Sequence, residues 1–165
     1  MKIVTFPNPL LKKVLQPFDF SNPTTDPVEL EKNMIDCMLK NKAIGLAANQ
    51  IGLDMRVFVM GHPTMPDNAQ AFFNPEILAV TEDKIDYEEG CLSFPNIYAT
   101  ITRPKAIKVK YQNSKGEDQF AELRDYECRC FLHEFDHLEG ITFNDRLSPL
   151  KWALSVKKST KRKYK

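Results

Sequence analysis

The sequence predicts a chain of helices and antiparallel strands built around one buried helix, and three observations predict it. Between residues 56 and 123, short β-branched and aromatic runs separated by turn signals read as about five to seven strands. A capped amphipathic helix precedes them, starting at Asp26-Pro27. After them, along Tyr126–Glu139, the residues Cys130, Phe131, Leu132, Phe135 and Leu138 cover most of a helical circumference. A helix that is apolar nearly all round is a buried one.

A length of 165 residues, 42% of them apolar, suffices for one domain with its own core and is too short for two. The expected domain is residues 1–156. Lys157, Lys158, Lys161, Arg162, Lys163 and Lys165 crowd the last nine residues, which contain no acid. Without these six cations the formal charge of +1 becomes −5, from 17 basic and 22 acidic side chains. The tail 157–165 is therefore a separate electrostatic object, either a solvated terminus or a segment that contacts RNA or the ribosome. No apolar run approaches the roughly 18 residues of a membrane helix, and the N-terminus lacks the pattern of a signal peptide. The expectation is a cytoplasmic protein, bacterial or phage-encoded, without membrane contact. In such a chain Cys37, Cys91, Cys128 and Cys130 are expected as core residues or metal ligands rather than disulfides.

Taken in order, residues 1–20 carry Pro7, Pro9 and Pro17 and read as short extended pieces wrapping the domain. Asp26 as N-cap, Pro27 in the first turn and Glu29 as the capping-box acid start the first helix. Its stripe of Val28, Glu31, Met34, Ile35, Met38 and Leu39 makes Cys37 a core residue. Ala43–Gly52, a run of small residues between glycines, suits either close approach of backbone to a ligand or a tightly packed turn. Gln50 alone in that run offers both a long donor and an acceptor. Arg56–Met60, Phe72–Val80, Lys84–Glu88, Ile97–Thr102, Ala106–Gln112 and Gln119–Leu123 read as strands, with Asn113–Gly116 as a hairpin turn. Pro75 places the second and third of these at a sheet edge. Asp125 is expected to cap the central helix and Gly140 to end it. Ser148-Pro149 should start a last short helix through about Val156.

The chemistry is concentrated in His133-Glu134-Phe135-Asp136-His137. Positions i and i+4 lie one above the other on a helix, so both imidazoles can reach one metal, with Glu134 beside them to handle the proton of an activated water. A catalytic site of this kind has three protein ligands and an open position. The longer metallopeptidase motif would need His at 143, which is Phe143, and no glutamate follows Glu139 to serve as a downstream ligand. Ordinary metallopeptidases are thus disfavoured. Among the remaining donors, Cys130 starts a full turn from the metal, Cys128 is farther back, Cys37 belongs to the first helix, and Asp145 is a weaker oxygen donor. Cys91, on a glycine-hinged turn, is the best-placed third ligand. A non-catalytic, metal-stabilised RNA-binding module remains as an alternative.

Three segments together resemble the peptide deformylase family: Gly45–Gln50, Glu89-Gly90-Cys91-Leu92-Ser93 and His133–His137, with Pro7–Val14 similar to its N-terminus. The likeness covers roughly residues 1–150. The resemblance implies an α+β fold with antiparallel sheets packed around the central motif helix. It implies a divalent ion, natively Fe²⁺ and exchangeably Zn²⁺, Ni²⁺ or Co²⁺, on Cys91, His133 and His137. Its substrate would be the formyl-methionine end of nascent peptides, its product formate, with Glu134 as the proton carrier and Gln50 and the Leu92 N–H stabilising the oxyanion. Ile44, Gly45, Glu89, Gly90 and Cys130 fall at substrate-binding positions, Ile44 and Cys130 around the methionine side chain. A monomer is expected. Ala43, Asn49 and Leu132 depart from the family's usual residues, and Leu132 removes a possible hydrogen bond near the first histidine.

Overall fold

Seven strands and three α-helices follow one another through residues 1–62 and 65–162, the part of the chain described by the structure, a computed structural model. Asp26 accepts the Glu29 N–H at 2.8 Å and Pro27 opens α1 (Pro27–Lys40), so one orphan donor of the first turn is satisfied as the sequence predicts. Leu30, Met34, Cys37 and Met38 are buried along its inner stripe.

A five-stranded antiparallel sheet runs in the order β1-β2-β3-β6-β7, from β1 (Gly45–Ala47), β2 (Val57–His62), β3 (Met65–Val80), β6 (Ala106–Gln112) and β7 (Asp118–Arg124). The hairpin β4 (Lys84–Cys91) and β5 (Phe94–Pro104) forms a separate two-stranded sheet. β3 is therefore interior, between β2 and β6, and not the edge strand that Pro75 suggested. The register shifts between Phe73 and Glu76, and a proline inside that irregularity interrupts no regular ladder bond.

The central helix α2 (Asp125–Leu138) lies against both sheets and buries residues on every side, from Cys128 to Leu138. Phe131 meets Phe58 and Phe72 edge-on, with ring centroids 5.1 and 5.5 Å apart. Each such fully buried side chain stabilises the fold by about 1.5–3 kcal/mol. Asp125 is the first residue of α2 rather than its cap: its φ is +46°, and its N–H donates to the Lys105 carbonyl at 2.7 Å. Gly140 ends the helix region at φ +67°, where a Cβ would fall 2.6 Å from the Lys12 carbonyl oxygen.

The N-terminal segment contains a 3-10 turn at Pro9–Lys12, started by the Asn8 side chain, in place of a wholly extended path. Before that turn, the Val4 N–H donates to the Gln50 carbonyl and the Phe6 N–H to the Ser93 carbonyl, at 2.8 and 2.9 Å. These bonds tie together the two loops that carry Gln50 and Cys91. The last helix, α3 (Pro149–Arg162), does not stop near Val156, so the start of the basic tail is helical. Lys163 and Lys165 lie outside the described residues. Trp152 of α3 packs on a small second core of Phe94, Ala99, Ile101 and Phe143, which fixes α3 against β5.

Candidate metal centre

His133 and His137 stand one turn apart on α2, their ring centroids separated by 5.3 Å. Cys91 ends β4 where the pairing register shifts after Gly90. That break brings its sulfur to 3.3 Å from His137 Nε2. One ligand atom from each of Cys91, His133 and His137 lies within 4.8 Å of the others. In a tetrahedral site, metal–sulfur and metal–nitrogen bonds of about 2.3 and 2.0–2.1 Å put sulfur and nitrogen about 3.5 Å apart. The observed spacing is close to that, and one thiolate with two imidazoles suits Fe²⁺, Zn²⁺, Ni²⁺ or Co²⁺. The donor set therefore fits a single divalent cation.

Gln50 Oε1 accepts the Ala47 N–H at 2.9 Å, which turns its Nε2 toward Cys91 Sγ, 3.4 Å away, and Ser93 Oγ, 3.2 Å away. Asn49 donates through Nδ2 to the His137 carbonyl at 2.8 Å and so braces the last turn of α2. Glu134 is 4% exposed and its Oε2 has no hydrogen-bond partner among the described residues; neither does His137 Nδ1. Burial pushes the Glu134 carboxyl up to about 7, with the neighbouring Glu89 adding to the rise and His133 opposing it. A buried carboxylate poised near neutrality is suited to exchanging a proton.

Behind His133 lies a charged cluster. Glu89 accepts from Arg103 Nε and Nη2 at 2.6 and 2.9 Å, from Arg129 Nη1 at 2.6 Å, and lies 2.8 Å from His133 Nδ1. Burial alone would raise the Glu89 carboxyl, but its hydrogen bonds with His133 and Arg103 outweigh that and hold it at about 2. Arg103 also donates to Asp136 at 2.9 Å, and Arg146 adds a bond from Nε at 3.0 Å. Burial works against a charged His133, yet its bonds to Cys91 and Glu89 raise it well above the ordinary histidine value. His137, buried and facing that charge, is lowered well below it.

A cavity of about 630 Å³ opens onto this centre and is bordered by Ile44, Gly45, Gln50, Gly90, Cys91, Leu92, Cys130, His133 and Glu134, so most of the expected site residues meet in one place. Glu89 also borders the cavity, with its carboxylate engaged by the arginines and His133. Cys130 donates its thiol to the Ile44 carbonyl at 3.3 Å, and burial drives its pKa well up, so it presents a neutral apolar wall. Gly45 has a steric reason to be glycine: an added Cβ would lie 2.8 Å from Glu134 Cδ and closer still to its Oε1. Sequence reading missed Arg129 and Arg146. The available signal for Arg129 was its position one turn before His133 on a buried helix, since an arginine there needs a carboxylate partner.

A helix-borne histidine pair, a buried carboxylate between them and a thiolate delivered from a strand end define a mononuclear metal-dependent hydrolase. Within that class the match is specific. The sequence profile of polypeptide deformylase covers residues 1–153, and the chain belongs to this family. It is 44% identical over 158 residues to the peptide deformylase of Thermotoga sp. strain RQ2, covering 95% of this chain and 93% of the relative. The crystal structure of a peptide deformylase from Legionella pneumophila superposes with a TM-score of 0.86 at 33% identity, covering 99% of this chain and 95% of that one. A class I type b peptide deformylase from Acinetobacter baumannii, solved with Met-Ala-Ser bound, gives a TM-score of 0.81 at 30% identity, over 89% of this chain and 98% of that one. As a member of the family, this chain is a metal-dependent amide hydrolase that removes the N-formyl group of nascent polypeptides.

Proposed function

We propose that Cys91, His133 and His137 hold a divalent cation, natively Fe²⁺, and that the formyl-methionine end of a nascent chain enters the adjoining cavity. The observation that carries this reading is the convergence of the three ligand atoms within 4.8 Å of one another. A bound cation would polarise the formyl carbonyl and lower the pKa of water. Glu134, poised near neutrality, takes the proton of the attacking water and returns it to the leaving amine, so formate and a free N-terminal methionine result. Gln50 Nε2 and the Leu92 N–H donate to the oxygen as negative charge develops on it. Glu89 holds His133 in the orientation that leaves Nε2 for the cation. Ile44 and the neutral Cys130 thiol form the apolar wall for the methionine side chain, while Gly45 and Gly90 leave room for extended substrate backbone.

The protein acts in this reading as a cytoplasmic monomer, and its basic residues from Lys157 onward contact ribosomal RNA. Deletion of 157–165 is expected to weaken ribosome binding and flatten its salt dependence; unchanged affinity and slope would discard that contact. The catalytic reading is tested by assaying an anaerobic, metal-analysed preparation on formyl-Met-Ala-Ser and acetyl-Met-Ala-Ser. Formate release from the first without cleavage of the second supports it, and peptide-bond cleavage in either would replace it with a metallopeptidase.

A further inference from the structure

A second cavity, of about 230 Å³, lies between α3 and β5. Glu88, Asn96 and Tyr98 border both this groove and the cavity over the metal centre, so the two are continuous along the β4–β5 hairpin. Their junction is shaped by Gly90, which pairs with Tyr98; a Cβ at Gly90 would fall 2.7 Å from the Tyr98 ring. The tyrosine ring thus occupies the space that a side chain at position 90 would take. Beyond it, α3 contributes Lys151 and Lys158 to the groove, together with the half-exposed Leu154. Glu88 is the one acid among the described residues that border the groove, so its lining carries net positive charge.

We propose that this groove receives the polypeptide downstream of the formylated methionine and favours acidic side chains in it. The proposal rests on the deformylase reading above. Glu88 lies three positions before Cys91 in β4, a distance of roughly 10 Å at strand rise. An extended substrate anchored at the metal end and running beside the hairpin covers that distance in about three residues. Its fourth to sixth residues then lie against α3, where a carboxylate meets Lys151 and Lys158. Leu154 supplies apolar contact for the stems of those side chains.

The experiment compares formyl-Met-Ala-Ser extended by three glutamates with the same tripeptide extended by three lysines, at low ionic strength. The readout is the ratio of kcat/KM values within each protein. In the wild type the acidic hexapeptide is expected to be preferred by about threefold to tenfold, the size of two solvent-facing ion pairs. High salt should erase that preference. In the Lys151→Glu/Lys158→Glu protein the preference should invert, and Glu88→Gln should widen it. A ratio that is the same in wild type and double variant overturns the proposal, as does charge reversal that weakens ribosome binding while leaving the peptide ratio untouched. A wild type unable to release formate from formyl-Met-Ala-Ser overturns the underlying function as well. One that deformylates the tripeptide without acid preference overturns the groove alone.

Discussion

Glu89 Oε2 lies 2.8 Å from His133 Nδ1, and through this contact a carboxylate held by two arginines sets the orientation of the His133 ring. The ring nitrogen that faces Glu89 is fixed as the donor, which would leave the other to ligate a bound cation. Glu89→Gln is expected to lower metal affinity by about 10–100-fold, the usual cost of losing such a partner. Competition with a chelator of known affinity measures it. Glu89→Ala should in addition cost about 3–5 kcal/mol of stability, because Arg103 and Arg129 keep buried charges without their partner. Urea denaturation of the two variants separates the effects.

Acid should dismantle the same cluster. The Glu89 carboxyl is held at about 2, against 4.5 for the free side chain. The folded value is the lower one, so its stabilisation is complete above about pH 4.5 and lost as pH falls toward 2, where the unfolded chain has already taken the proton. The shift corresponds to about 3 kcal/mol. The stability gap between wild type and Glu89→Gln should therefore close as denaturation is repeated from pH 6 down to pH 2.5. A constant gap would show that the arginines do not hold Glu89 ionised.

Metal uptake should release protons. Contacts with Cys91 and Glu89 raise His133 well above its ordinary value, despite burial, so chelated protein carries an imidazolium that must lose its proton to bind a cation. Apparent affinity is then expected to rise with pH through the neutral range. Calorimetry in buffers of different ionisation enthalpy reports the released protons directly, and an affinity independent of pH between 5 and 8 would contradict the assignment.

Gly45→Ala should impair the reaction without emptying the site. The added Cβ would collide with the Glu134 carboxylate group, and a displacement near 1 Å at a reacting group costs on the order of 100-fold in rate. A kcat lowered by about that factor, with metal content unchanged, is the expected result.

The motif helix was legible because 3.6-residue periodicity and the histidine spacing point to one face, and Cys91 was legible because the other donors were badly placed. Strand order was not: nothing local to Phe72–Val80 reveals that β6 pairs on its far side, and Pro75 misleads because the register break that accommodates it forms only in the sheet. The charged cluster was half legible. Asp136 lies inside the motif, but Arg129 is buried only because Glu89 arrives from β4, 40 residues earlier. The length of α3 depends similarly on Trp152 docking onto Phe94 and Phe143, a tertiary contact that helical propensity does not encode.

The central claim is that Glu134 moves the proton in a reaction whose cation is held by other residues. Its Oε2, buried and without a partner among the described residues, is placed to meet an attacking water in the proposed mechanism. Glu134→Ala, prepared anaerobically and assayed for formate release from formyl-Met-Ala-Ser with metal analysis on the same sample, tests this most directly. Full metal content with activity reduced by about 10²–10⁴-fold is the predicted result. Undiminished formate release by the metal-loaded variant would contradict it.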